Sequence, residues 1–229
     1  LLQYGLQRLQ VIGWQFIIKN WQSSFGQNHQ LSLACRHVLG EDFARKGDLS
    51  VFTPLAIASN LSKRTPFVVE LANAPYEAQR QILFYLLAGL PRFSAASFDA
   101  TGNGGYLAEA ARLKYGASMI ECVMLNDPWY REWMPKLKAE FEDGNLTIPR
   151  HADIQDDLGR IQVVNGIPKI DKGRTTGQTG QQRHGDFAVS LVMAIRASWM
   201  DGGAIEFMPL PGKREMHPGD DDNSHRYER

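Results

Sequence analysis

Three aspartates stand where a carboxylate needs a reason. Asp42 lies inside an apolar, β-branched run, in VLGEDF, where burying a charge is costly unless it is paired or binds a metal. Asp99 closes the run SAASFD directly before the glycine loop TGNGG, and Asp186 opens a long apolar helix in RHGDFAVSLVMA. Singly, each has a plain structural explanation. An aspartate at a strand end forms turns, and one in a first helical turn complements the helix dipole. Brought to one point they would mean something else. Three like charges within a few ångströms repel, so such a cluster persists when divalent cations occupy it. Hard carboxylate oxygens select Mg²⁺ or Mn²⁺. Two such ions about 4 Å apart can activate a water and stabilise the leaving oxygen in phosphodiester cleavage.

The elements that would have to position these acids can be read from periodicity. Residues 33–43, 50–58 and 65–72 are apolar runs separated by turn-rich stretches, which predicts three consecutive strands. Asn73-Ala-Pro75 opens a helix whose apolar side carries Leu83, Leu86, Leu87 and Leu90. A strand over 94–99, a tight loop, a helix over 105–115 and a strand over 117–125 follow. Asp127-Pro128 then caps a helix marked by Trp129, Trp133, Leu137 and Phe141. A short helix near 152–159 and a strand over 160–164 precede the polar stretch 171–182, which reads as a mobile surface loop. The clearest helix is 185–200, striped by Ala188, Leu191, Val192, Ile195 and Trp199. The reading divides the chain into an N-terminal linker or arm (1–30), a core domain (31–208) and a flexible tail, extended or disordered (209–229). Three strands followed by alternating helices and strands give an α/β mixed sheet, three antiparallel strands and then parallel ones, with helices on both faces. The ribonuclease H-like fold has this order, though other folds share it. In that fold the first and fourth strands are neighbours and the final helix packs across them, so the three acids would converge.

GEDFARKGDLSVF, SFDATGNGGYLAEAARLKYG and RHGDFAVSLVMA, in that order, resemble the three acidic motifs of the nuclease domain of tailed-phage large terminase subunits, in their Mu-like form. The likeness covers most of residues 36–200. It implies a metal-dependent endonuclease of the ribonuclease H-like superfamily that cuts double-stranded phage DNA during genome packaging. It implies Asp42, Asp99 and Asp186 as ligands of a two-metal Mg²⁺ or Mn²⁺ site, with an auxiliary role for Asp48, which could equally be a hairpin-turn residue. His184, two residues before Asp186, could orient a water, contact phosphate or shield the leaving group; alternatively it is a solvent-facing side chain outside a helix. Arg45, Lys46, Lys172, Arg174 and Arg183, with Arg160 and Lys169, fall in predicted loops and would form a rim for the DNA backbone, with 171–182 as a contacting flap. The packaging ATPase domain, the small terminase subunit and the portal are the partners implied, in the cytoplasm of an infected bacterium. No GxxxxGK[ST] phosphate loop occurs, so the motor would lie outside this sequence. The absence of an initiator Met likewise suggests a fragment of a longer protein.

Composition sets outer bounds. No apolar run approaches the roughly 20 residues of a membrane span, and the start lacks the features of a signal peptide. Cys35 and Cys122 have no CxxC spacing, which speaks against a zinc site or a disulfide framework and for a reducing compartment. The 25 basic and 25 acidic residues cancel, so net charge does not by itself point to nucleic acid. Two other readings stay open on sequence grounds. DATGNGG between a strand and a helix could cradle a nucleotide or S-adenosylmethionine in a transferase. The same fold could instead serve as a non-catalytic DNA-binding or assembly module.

Overall fold

The computed structural model describes residues 16–20, 31–44, 49–170, 173, 175–178, 180 and 182–200. Its centre is a mixed sheet built from β1 (Phe16–Asn20), β2 (Arg36–Asp42), β3 (Leu49–Ile57), β5 (Phe67–Ala72), β6 (Phe93–Asp99) and β7 (Ile120–Val123), ordered β1-β5-β3-β2-β6-β7. Two short strands, β4 (Lys63–Arg64) and β8 (Leu146–Thr147), extend it beside β3. β2, β3 and β5 pair antiparallel, whereas β2–β6 and β6–β7 are parallel. Helices α1 (Tyr76–Gly89) and α2 (Gly105–Tyr115) cover one face. On the other lie α3 (Asp127–Glu142), α4 (Ala152–Gly159) and α5 (Asp186–Ser198). This is the ribonuclease H-like arrangement expected from the order of elements.

The two-residue alternation of a strand explains why both faces carry a core. Leu39, Phe52, Val69 and Leu71 pack with Ile82, Leu83, Leu86 and Leu87 of α1 and Leu107 of α2. Val38, Val51, Leu55 and Val68 point the other way, onto Leu191, Val192 and Ile195 of α5 and onto Trp133 and Leu137 of α3. Helix α5 runs between the sheet and the outer helices, so every residue from Asp186 to Ile195 is buried. The helix can lie this close because Gly40 faces it. A Cβ there would sit 2.1 Å from the Ser190 carbonyl oxygen and 2.2 Å from the Ala194 nitrogen. Beside this contact the Thr53 and Ser190 hydroxyls are 2.6 Å apart and bonded to each other.

Several local expectations change. The described part of the N-terminal arm is the strand β1, registered antiparallel on β5 from Phe16 opposite Leu71 to Asn20 opposite Phe67. The stretch after 160 folds into the hairpin β9 (Ile161–Val164) and β10 (Ile167–Ile170), turning at Asn165-Gly166, both with positive φ. The polar stretch 171–182 is not simply a loose loop. It holds β11 (Thr175–Thr176) paired with β12 (Gln182–Arg183), and the Gln178 amide donates to Asp153 of α4 at 2.9 Å. Trp199 leaves the apolar stripe of α5: it caps the helix end, 57% exposed, with its ring against Trp133. The tail after 200 lies outside the described residues.

Candidate active site

Asp42 ends β2 and Asp99 ends β6, and these parallel neighbours are in register from Val38 with Ala95 to Glu41 with Phe98. Both aspartates fall on the face covered by α5, whose first residue is Asp186. All three line one cleft of about 310 Å³, with Phe43, Tyr130 of α3, Ile170 of β10 and His184 among its other walls. The chain thus brings together acids 42, 99 and 186 from three separate elements. Among the described residues no group of three or more His, Cys, Asp or Glu already stands as a closed metal cage. The carboxylates share a cleft rather than a tight shell.

Local chemistry holds each one in place. Asp99 accepts the Thr101 amide at 2.8 Å, an Asx turn that starts the path into α2. Gly104 presses against it, since a Cβ there would meet the Asp99 carbonyl oxygen at 2.3 Å. That close approach accounts for a glycine of the TGNGG loop without any phosphate. Asp186 is fully buried; its carboxylate accepts the His184 amide at 3.2 Å, and its other oxygen lies 2.9 Å from His184 Nδ1. Between them Gly185 takes a left-handed conformation (φ 98°), and a Cβ on it would strike Ile170 at 2.8 Å. The sequence His-Gly-Asp is therefore a geometric requirement: only glycine turns tightly enough to set His184 and Asp186 side by side.

The electrostatics are those of crowded acids. Burial, then Asp186, Asp99 and Glu41, push the Asp42 carboxyl well above the usual carboxylate range. Burial raises Asp99 as well, partly offset by its hydrogen bond from Thr101. Burial and the nearby carboxylates Asp42, Asp99 and Asp127 raise the Tyr130 phenol. Among the described residues such a cluster is short of positive charge, and its hard oxygen donors suit a divalent cation of the magnesium class.

Several residues escaped the sequence reading. Glu41 is fully buried, neither of its oxygens has a hydrogen-bond partner among the described residues, and burial followed by the charge of Asp99 raises its carboxyl well above normal. By strand alternation it faces away from the cleft. Its acid-acid neighbour in the sequence, GED, was the available signal. Asp157 of α4 and Glu70 of β5 are buried too, and both bind Arg183. Arg183 was expected on the DNA-facing rim; it is 1% exposed with its guanidinium consumed by these two carboxylates, so it is unavailable to phosphate. Of the other rim candidates, Lys169 pairs with Asp127 at 3.0 Å. Asp48, Arg45, Lys46, Lys172 and Arg174 lie outside the described residues.

The geometry can now be set beside known proteins. No family model matches the chain. It is 54% identical over 222 residues, 93% of its length, to "Probable terminase, large subunit gp28" of Escherichia phage Mu. The chain is a homologue of the Mu-type large terminase subunit. A second relative, the Mu-like prophage FluMu protein gp28 of Haemophilus influenzae, is 52% identical over 187 residues, 82% of the chain. This Mu-type homologue spans only 40% and 37% of those curated relatives' lengths. Its fold matches the large terminase nuclease from thermophilic phage G20c with a TM-score of 0.55 at 16% identity, covering 78% of this chain and 93% of that one. The zinc-bound crystal structure of the same nuclease matches with a TM-score of 0.54 at 17% identity, over the same shares. At these identities the terminase homologue shares a fold with G20c nuclease, and its own cleft must carry the chemistry.

Proposed function

We propose that the chain is a divalent-metal-dependent endonuclease that hydrolyses double-stranded DNA during phage genome packaging, with Asp42, Asp99 and Asp186 as its metal ligands. The observation that carries this reading is the convergence of three buried carboxylates, from two adjacent parallel strand ends and one helix start, on a single cleft. Homology to a large terminase subunit supports DNA as the substrate, and zinc in a crystal structure of a protein with this fold supports a metal centre. Bound as a pair, Mg²⁺ or Mn²⁺ would supply a nucleophilic water at neutral pH and neutralise charge on the scissile phosphate. The residues of the chain do the positioning. The two strand ends fix Asp42 and Asp99 on the sheet, and the Gly185 turn holds Asp186 across from them. His184, its side chain 37% exposed at the cleft wall, would orient a water, contact phosphate or shield the leaving group. Asp48 is the proposed auxiliary acid. The packaging ATPase, small terminase subunit and portal are the partners this reading implies, in the cytoplasm of the infected host; among the described residues no helix is long and apolar enough to cross a membrane.

The test is plasmid nicking and linearisation with Mn²⁺ or Mg²⁺, together with melting curves. Cleavage with little sequence preference is expected, because phosphate contacts carry affinity without reading bases. A cation-dependent rise in melting temperature should accompany it. Cleavage undiminished by excess EDTA would refute a metal mechanism. Stabilisation by S-adenosylmethionine or a dinucleotide, with none by the metals, would favour the glycine-loop transferase instead.

A further inference from the structure

Arg183 heads the fully buried side chains by size, and nothing in the proposed chemistry uses it. Its guanidinium donates to both oxygens of Glu70 at 2.9 Å and to both oxygens of Asp157, at 3.1 and 2.5 Å. Burial opposes its charge, but these two carboxylates outweigh that and raise its pKa. One oxygen of Asp157 also accepts the Phe187 amide, at 2.9 Å. That amide belongs to the first turn of α5, where a helix leaves its N–H groups unpaired, and it follows Asp186 directly. Glu70, at the other end, stands in register with Val51, which stands in register with Asp42. A continuous chain of bonds therefore ties the strand row that carries Asp42 to the helix turn that carries Asp186. Its central residue is followed at once by His184, which lines the cleft.

Charge points the same way. Glu70 and Asp157 are both buried, and Arg183 bridges them. Without Arg183, two uncompensated carboxylates would stand behind the acidic cleft and deepen its repulsion.

We infer that Arg183 is the positioning residue of this site. Through Glu70 and Asp157 it fixes the setting of Asp186 against the Asp42 strand row and keeps the charge behind the cleft in balance. The inference rests on the metal-ligand reading of Asp186. Lysine cannot substitute, because a point charge on a flexible stem cannot make the planar, two-sided bridge. A network serving only the fold would leave cation affinity alone wherever the fold survives.

The experiment compares Arg183→Lys, Glu70→Gln and Asp157→Asn with the parent, using the full chain. It reads the Mn²⁺ concentration at half-maximal thermal stabilisation, Mn²⁺-dependent nicking, and metal-free hydrogen exchange of the Phe187 amide. Folded variants should need about 10- to 100-fold more Mn²⁺, the scale of groups that orient ligands from behind, with nicking reduced but partly recovered at high Mn²⁺. Phe187 exchange should accelerate at least about tenfold in Arg183→Lys and Asp157→Asn, the two that break its anchor. If Arg183→Lys fails to fold, Glu70→Gln and Asp157→Asn, which keep size and shape, decide the matter. Parent-like half-saturation and exchange in those folded variants would overturn the inference. If Mn²⁺ does not stabilise the parent, the metal reading fails. The Phe187 exchange then decides only whether the Arg183 bridge anchors the first turn of α5: acceleration sustains that part of the inference and unchanged exchange removes it.

Discussion

Replacing Gly40 by alanine adds one methyl group at the point where strand β2 meets helix α5. The new Cβ would lie 2.1 Å from the Ser190 carbonyl oxygen, 2.2 Å from the Ala194 nitrogen and 2.8 Å from the Ala194 Cα, all backbone atoms. Ordinary contact needs well over 3 Å, so the helix must retreat by roughly 1 Å or more. Overpacking of this kind costs about 1–3 kcal/mol, and the upper end applies because no flexible side chain can yield. At about 2–4 °C per kcal/mol for a domain of this size, the melting temperature should fall by about 6–12 °C. Ser190 lies one helical turn beyond Asp186, so the retreat carries the carboxylate away from Asp42. A misplacement near 1 Å can cost about 100-fold in rate, and nicking should drop on that scale even below the new melting point. Gly159→Ala is the control: nothing lies within 4 Å of a Cβ there, so stability should stay within about 1 kcal/mol of the parent or rise slightly. Gly40→Ala melting within a degree of the parent and nicking at its rate would refute the close-contact argument.

Asp42→Asn, Asp99→Asn and Asp186→Asn should each abolish nicking while remaining folded, with metal-free melting equal to or above the parent; full metal-dependent nicking by any one removes that residue from the site. The raised carboxyls of Glu41, Asp42 and Asp99 mean that their contribution to stability is greatest below the ordinary carboxylate range and is lost as pH rises through their elevated values. Metal-free protein should therefore gain stability as pH falls through those elevated values, while the depressed pKa of buried His37 works in the opposite direction as pH falls further. Glu41→Gln should flatten that slope, and an unchanged slope in this variant would exclude Glu41 as its source. Thr53→Val removes the 2.6 Å bond to the Ser190 hydroxyl, which keeps its bond to the Phe187 carbonyl, and should cost about 0.5–1.5 kcal/mol by denaturant unfolding; Ser190→Ala in the same background should add much less than it costs alone.

What the sequence disclosed and what it withheld divide along physical lines. Periodicity located the helices because large apolar residues recur at helical spacing: Leu83, Leu86 and Leu87 announce α1, and Leu191, Val192 and Ile195 announce α5. Asp42, Asp99 and Asp186 stood out because a carboxylate inside or at the edge of an apolar run is conspicuous, and their meeting in one cleft is set by the parallel register of β2 and β6. Strand β1 was not legible. FIIKN is too short to choose between helix and strand, and its pairing depends on a partner about 50 residues away. Arg183 was misread for a different reason. Local polarity around QQRHG suggests a surface, whereas the two acids that bury it come from β5 and α4, and no spacing rule connects positions 70, 157 and 183.

Strand β1 sets where a shortened protein can begin. The outer margin of β5 would otherwise present a row of open N–H and C=O groups beside Phe67, Val69 and Leu71, and β1 closes that row residue for residue. A fragment started at Leu31, where the regular pattern of the sequence begins, would keep all three cleft aspartates and still uncover this margin. An uncovered strand edge of that composition is a template for pairing with other molecules, so the fragment should form soluble aggregates or exchange strands between copies. A fragment that begins before Phe16 should stay monodisperse, and light scattering of the two would separate them.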